Sequence, residues 1–229
     1  MAKRKTTRKE KVPRSLGPEA VAPDSVRVHL RYNTRSSFGW TTTGFGAYVF
    51  NLSSLYDPDY TSTGHQPTGF DQWMLIYNRY RVYNVKVHAI FSVHSSETSQ
   101  VGEVTMVPQT STTTTYSSIA EYIEDPRALL GVCRSGVQPE FHAVYDLQKM
   151  FGTTKSQFAD IVYSGTETTS PSNSYYLHLA AESMTTTPTQ NMVFCILLEY
   201  DCEFYERKNL SISLQKKHHP TCRCLELLS

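Results

Sequence analysis

Seven basic side chains are concentrated in the first 14 residues, and the chemistry they offer is phosphate binding. Glu10 is the one acid among them, so residues 1–14 carry a net charge of +6. Lys and Arg neutralise nucleic-acid phosphates and release the counterions condensed there, whereas solubility alone does not require such segregation of like charge. We therefore predict that nucleic acid is bound by Lys3, Arg4, Lys5, Arg8, Lys9, Lys11 and Arg14.

The rest of the charge is also unevenly distributed along the chain. Residues 207–229 carry a net charge of +4 and the stretch between the two basic segments carries −9, although the whole chain sums to +1. This pattern favours a polyanionic partner for the two ends. The Lys3-Arg4-Lys5 and Arg8-Lys9 clusters also match nuclear import signals, which predicts host nuclear import machinery as a second partner.

Candidate metal ligands occur in three places, and none forms a convincing set. Asp57-Pro58-Asp59 could offer oxygens to a hard cation, but it supplies too few ligands and is more typical of a turn. His218, His219, Cys222 and Cys224 lie within seven residues, but Cys-x-Cys is tighter than the usual zinc spacing. His88 and His94 fall on one face of a strand, where six residues separate them by roughly 20 Å. That distance is too long for one shared ion, so the sequence predicts no metal site and no cofactor.

Sequence motifs for catalysis are also missing. The nearest approach to a phosphate-cradling loop runs from Gly131 to Gly136, and it lacks the lysine and hydroxyl that grip phosphate and Mg²⁺. Ser, His and Asp are present, but no local signature assembles them into a triad. We therefore expect no catalytic residues and no enzymatic activity.

The segments that position these residues are strands, because apolar and polar residues alternate with period two in most of them. Ser/Thr-rich loops separate the segments. Two short helices are predicted: one follows Asp71 as N-cap, with Trp73, Ile76, Tyr77 and Tyr80 on one side, and one starts at a Ser118–Glu121 capping box. The predicted strands are Val26–Tyr32, Phe45–Leu52, Tyr83–Val93, Val101–Val107, Ala128–Arg134, Phe141–Leu147, Tyr175–Glu182 and Met192–Phe204.

Eight strands without a βαβ rhythm predict an all-β fold, an eight-stranded antiparallel jelly-roll sandwich with two short helices in loops. The predicted organisation is a flexible, disordered basic arm at 1–24, a jelly-roll shell domain at 25–206 and a basic tail at 207–229. The five cysteines are odd in number and lack framework spacing, which indicates free thiols in a reducing compartment. We expect neither a secretory leader nor a membrane span.

Five short motifs follow one another between residues 51 and 87. They are Asn51-Leu52-Ser53-Ser54-Leu55, Gly64-His65-Gln66-Pro67, Gly69-Phe70-Asp71-Gln72-Trp73, Tyr77-Asn78-Arg79-Tyr80-Arg81-Val82 and Val85-Lys86-Val87. In this order they resemble capsid proteins of circular, Rep-encoding single-stranded DNA viruses of the circovirus-like kind. The arm, the chain length and the strand count are similar as well, in a more generic way.

The resemblance implies a viral capsid protein that self-assembles into a small icosahedral shell, of about 60 copies in the smallest case. It implies that the arm binds a circular single-stranded DNA genome and directs nuclear import, so the protein would be found in the virion and in the host nucleus during assembly. No host receptor is indicated. Scaffold and subunit-contact positions are implied for Phe70, Trp73, Tyr77 and Tyr80, whose rings we expect to cluster and fix the loop on the sheet.

Other functions remain open at this point. The coat protein of a small single-stranded RNA virus would use the same fold and the same kind of basic arm. A metal-dependent enzyme of the cupin kind is less favoured, because no close pair of histidines is apparent in the sequence. A soluble jelly-roll signalling ligand is disfavoured by the absence of a secretion signal.

Overall fold

The computed structural model describes residues 22–40, 45–61, 64–93, 101–113, 116, 118–184 and 190–209. The seven predicted nucleic-acid-binding residues lie outside the described residues. So do His94 and the group from His218 to Cys224.

Eight antiparallel strands form two four-stranded sheets. The long-stranded sheet has the order β1-β8-β3-β6, and the short-stranded sheet has the order β2-β7-β4-β5. This arrangement, with the first and last strands paired in one sheet, is a jelly roll, so the predicted fold class is confirmed. The strands are β1 Ser25–Trp40, β2 Gly46–Asn51, β3 Tyr77–Val93, β4 Val101–Gln109, β5 Leu129–Arg134, β6 Glu140–Asp146, β7 Tyr176–Ser183 and β8 Gln190–Arg207.

The core lies between the two sheets, and β8 supplies much of it. Every second residue of β8 from Met192 to Phe204 is buried, and none of these seven side chains is more than 1% exposed. Strand β8 lies between β1 and β3 and is hydrogen-bonded to both. Because side chains alternate across a strand, these buried residues face the other sheet while the acidic residues of β8 face outward.

A β-bulge in β3 changes the face that one predicted core residue occupies. The pairing of β3 with β8 shifts between Val82 and Asn84, which leaves Tyr83 as the extra residue. The sequence pattern places Tyr83 on the buried face with Val85, and this prediction is wrong. Tyr83 is half-buried, and its hydroxyl donates to Glu203 over 2.7 Å.

Short helices occupy the connections between strands. The first predicted helix is shorter than expected: α1 ends before Tyr77, which begins β3, and its N-cap is Gly69 with φ 92° rather than Asp71. Ser118 stands at the N-cap of α2 but makes no side-chain cap hydrogen bond. The helices are α1 Phe70–Met74, α2 Ile119–Ile123, α3 Leu147–Met150 and α4 Lys155–Phe158, with a 3₁₀ turn at Ile161–Tyr163.

Helices α3 and α4 have four residues each. That length is too short for apolar periodicity to appear, so the sequence does not predict them. The side chain of Thr154 caps α4 by accepting from the backbone N–H of Gln157, and Gln157 completes a capping box. No helix within the described ranges has the length and apolar character that crossing a bilayer requires.

Candidate functional site

The predicted aromatic cluster exists, and it forms where α1 leads into β3. We call it the aromatic junction; it consists of Phe70, Trp73, Tyr77, Tyr80 and Phe204. The Phe204 ring is its centre, lying 5.9 Å from the ring of Trp73 and 6.4 Å from that of Tyr80. Phe70 meets Tyr80 edge-to-face at 5.4 Å, a favourable arrangement for aromatic quadrupoles. The junction therefore joins the α1 loop to the end of β8.

Burial within the subunit limits what the junction can contact. Phe70, Tyr77, Tyr80 and Phe204 are 0% exposed, so these four side chains stabilise the subunit and do not themselves offer a surface to a second copy. Trp73 is only half-buried and is the member whose ring reaches solvent.

Tyr80 is held by polar contacts as well as by packing. Its hydroxyl accepts from the backbone N–H of Tyr56 and lies near the hydroxyl of Ser54, each at 3.2 Å. Burial raises the pKa of Tyr80 to about 12. The ring covers Gly165, where an added Cβ would lie 2.3 Å from it, so a side chain at residue 165 would displace the junction.

The two ends of the described chain meet beside this junction. The Tyr77 hydroxyl donates to the carbonyl oxygen of Pro23 at 3.0 Å, and the Arg207 guanidinium donates to that of Ala22 at 2.7 Å. The backbone N–H of Lys208 donates to Ile76 at 2.8 Å. Residues 22 and 208 therefore lie at the same end of the sandwich.

Charged side chains on the outward face of the long-stranded sheet are largely paired with one another. Arg27 makes two hydrogen bonds to the Asp201 carboxylate, at 2.7 and 2.5 Å, and Arg31 lies 2.5 Å from Glu199. Arg27 lowers the pKa of Asp201 through these hydrogen bonds. Two of the three arginines of β1 are thus matched by acids of β8, which weakens this face as a phosphate-binding surface.

A cluster of possible metal ligands lies on the same face, which the sequence does not predict. His88 of β3 and His142 of β6 stack with ring centroids 4.3 Å apart, beside Glu140. Within the described residues this is the one group of three His, Cys, Asp or Glu side chains close enough to share an ion. In the sequence the candidate partner of His88 is His94 on the same strand, whereas the histidine that lies beside it is on the neighbouring strand, where the pairing of β3 with β6 places it.

The described cysteines agree with the expectation of free thiols. Cys133, Cys195 and Cys202 are unpaired, and two of the three are buried. Burial raises the pKa of Cys202 to about 12. A protonated thiol in the core behaves as a small apolar side chain, so Cys202 is a packing residue rather than a nucleophile.

No protein-family model matches the chain, and no curated protein matches it. Among solved structures it is similar to turnip yellow mosaic virus, with 9% identity, a TM-score of 0.45 and coverage of 92% of this chain and 94% of that one. For Desmodium yellow mottle tymovirus the identity is 12% and the TM-score 0.42, with 93% of this chain and 97% of that one covered. For maize chlorotic mottle virus these values are 11%, 0.43, 84% and 99%.

These solved structures are viral capsids. At such identities and TM-scores the likeness carries no argument about function, and the jelly roll of this chain rests on its own strand order.

Proposed function

We propose that the protein is a viral coat protein, in which copies of the jelly-roll subunit assemble into a closed shell and the basic end segments bind the packaged single-stranded nucleic acid. The observation that carries this proposal is the common attachment point of the two basic segments. The contacts of Tyr77 with Pro23 and of Arg207 with Ala22 support it. From this one end of the subunit the chain continues into residues 207–229, of net charge +4, and through residues 15–21 to residues 1–14, of net charge +6.

Electrostatics explains why such an arrangement would suit packaging. About seven Lys or Arg side chains on single-stranded phosphates predict a log–log salt slope of about −5 for one arm. One arm of that kind binds weakly, whereas many copies facing a common volume bind strongly through multivalency. The stretch between the two end segments carries a net charge of −9, so the net positive charge of the chain is found in those segments.

Deletion of residues 1–14 tests the role of the arm. We expect the truncated protein to assemble into shells that hold little nuclease-protected nucleic acid. A matched variant with the seven Lys and Arg replaced by Gln keeps the length of the arm and should behave the same way. Full packaging by both variants would refute the role of the arm while leaving the shell intact.

The kind of genome is the finer part of the proposal. Single-stranded DNA as the genome is supported by the motif resemblance alone. The coat of a small RNA virus is therefore the second candidate. Nucleic acid extracted from purified particles and digested separately with DNase and RNase distinguishes the two.

Self-assembly is the broader part, and negative-stain microscopy of purified protein tests it. We expect closed particles, of about 60 subunits if the shell is the smallest icosahedron. Protein that stays monomeric at every salt concentration and pH, with no affinity for polynucleotide, would overturn the proposal. Nuclear import through the same arm is tested by a reporter fused to residues 1–24, with and without the Gln substitutions.

A further inference from the structure

The pairing of β3 with β6 places three potential metal ligands on one patch of the long-stranded sheet. His88 is directly opposite His142, and Glu140 lies two residues before His142, so it projects from the same face. One carboxylate oxygen of Glu140 lies 2.5 Å from Nε2 of His88 and 3.0 Å from Nε2 of His142. This convergence follows from backbone register, since cross-strand neighbours have Cβ atoms roughly 5 Å apart.

The distances suit a common ion. One ligand atom from each of the three side chains lies within 4.8 Å of the other two. Zinc binds nitrogen and oxygen at about 2.0–2.2 Å, so donors on one tetrahedral ion lie roughly 3.3 Å apart. Binding of one ion by both histidines requires their rings, which are stacked with 18° between their planes, to turn so that the two Nε2 lone pairs point to the same position.

We infer that His88, Glu140 and His142 form a binding site for a divalent transition-metal ion of the zinc class. Two imidazole nitrogens and one carboxylate oxygen are ligands for zinc, copper or nickel, whereas Ca²⁺ and Mg²⁺ prefer oxygen alone. Glu140 and His142 are exposed and His88 is partly exposed, so the ion is reached directly from solvent and keeps at least one coordination position open.

As an exposed ion pair without a metal, the cluster would contribute little to stability. The site also lies beside a surface depression of about 390 Å³ that Lys86, Val144 and Glu199 help to line, which leaves room for water on the ion.

The test must exclude the C-terminal segment, which carries its own candidate ligands. The parent protein for the experiment is therefore the full chain with His218→Ala, His219→Ala, Cys222→Ser and Cys224→Ser. Zn²⁺ alone is titrated against a chromophoric chelator, and Co²⁺ serves as a spectroscopic probe of ligand type. We expect one Zn²⁺ per chain, and a Co²⁺ spectrum of nitrogen and oxygen ligation without thiolate charge-transfer bands.

Substitutions then locate the ion. Loss of an outer-shell partner commonly weakens metal affinity 10- to 100-fold, so His88→Ala and His142→Ala should each weaken Zn²⁺ binding at least about tenfold. His29→Ala is the matched control, because His29 lies on the same sheet face, is 81% exposed and has one acidic neighbour, Asp201 at 4.0 Å. That variant should bind Zn²⁺ like the parent.

Glu140→Gln provides a variant that retains size and hydrogen-bonding capacity, and we expect it to weaken binding too. Melting in the presence of a chelator shows whether each variant is folded, and Zn²⁺ should raise the melting temperature of the parent but not of the three variants. A parent that binds no Zn²⁺, or folded His88→Ala and His142→Ala variants that bind it as the parent does, would overturn the inference. Because assembly is not needed for the titration, failure here would leave the coat-protein proposal untouched.

Discussion

The outward faces of the two sheets differ in their exposure to solvent. On the long-stranded sheet, several outward residues of β1 and β8 are charged, and they form the Arg27–Asp201 and Arg31–Glu199 pairs. On the short-stranded sheet, helix α2 covers part of the outward face. There Val107, Tyr122 and Ala180 form a second, smaller apolar cluster.

Strand β7 shows the consequence most clearly. Its residues from Leu177 to Ala181 are all buried, because one face packs into the core and the other beneath α2. Strand β1 instead alternates between buried or half-buried and exposed positions from Val26 to Tyr32. The outer face of one sheet is therefore exposed to solvent, and the outer face of the other is partly covered by α2. Four substitutions test this difference.

Tyr122→Ala should give the largest effect, because Tyr122 is 0% exposed at the centre of the smaller cluster. Removing a buried aromatic side chain costs about 3–5 kcal/mol. The free energy of unfolding from urea titration measures this loss. A loss below about 1 kcal/mol would contradict the view that α2 seals this face.

His178→Gln should give an intermediate effect and remove a pH dependence. His178 Nε2 lies 2.7 Å from the carbonyl oxygen of Ser111, to which it must donate, so Nδ1 accepts from the Tyr122 hydroxyl at 3.0 Å. Disturbing these buried groups costs about 1–3 kcal/mol, to be measured from urea unfolding at pH 7.5.

The pH dependence follows from burial, which lowers the pKa of His178. As pH falls below the ordinary histidine pKa of about 6.5, the unfolded chain takes up a proton before the folded protein does. Stability is therefore full above that pH and is lost as pH falls toward the lowered folded pKa. This slope should shrink in His178→Gln and persist in His29→Gln, and an unchanged slope in both would contradict the assignment.

Arg27→Gln should have a small effect, since Arg27 is 55% exposed and such ion pairs contribute about 0.2–1 kcal/mol. Arg27 lowers the pKa of Asp201 in the folded state. Its contribution is therefore present above the ordinary carboxyl pKa of about 3.9 and is lost as pH falls through the folded pKa. Urea midpoints of the two proteins should converge in acid, and an unchanged difference would count against the pair.

Val144→Ala should have the smallest effect of the four. Val144 lies on the outward face of the edge strand β6 and is 68% exposed, so its removal creates no cavity. We expect a change within about 0.5 kcal/mol. A loss of more than 1 kcal/mol in assembled particles, but not in isolated subunits, would instead place this valine at a contact between copies.

The strand positions were predictable because most strands have one buried face and one solvent-exposed face. The run from Val85 to Val93 and the run from Met192 to Phe204 both show the alternation that a sandwich core imposes. The period-two pattern assigns Tyr83 to the wrong face of the strand, because the pattern of apolar residues does not reveal a β-bulge. The prediction makes the first helix too long, because Tyr77 and Tyr80 fit a helical spacing. In the structure both residues belong to strand β3.

The candidate sites divide in the same way. The aromatic junction was predictable in part, since four of its five members are close in sequence between residues 70 and 80. Its centre, Phe204, comes from the far end of the chain and became apparent only when β8 paired with β3. The sequence does not predict His142 and Glu140 as neighbours of His88 for the same reason. The register of β3 against β6 cannot be inferred from the sequence of either strand alone.

The amino-acid sequence by itself determined the strands, the all-β class and the concentration of positive charge at the two ends, because period, turn residues and charge are local properties of the chain. Tertiary structure decided which residues became neighbours. It brought Ala22 to Arg207, Phe204 to Trp73 and His88 to His142, since contacts between distant segments depend on sheet order and register. Those are settled by the packing of the whole core and not by any one strand.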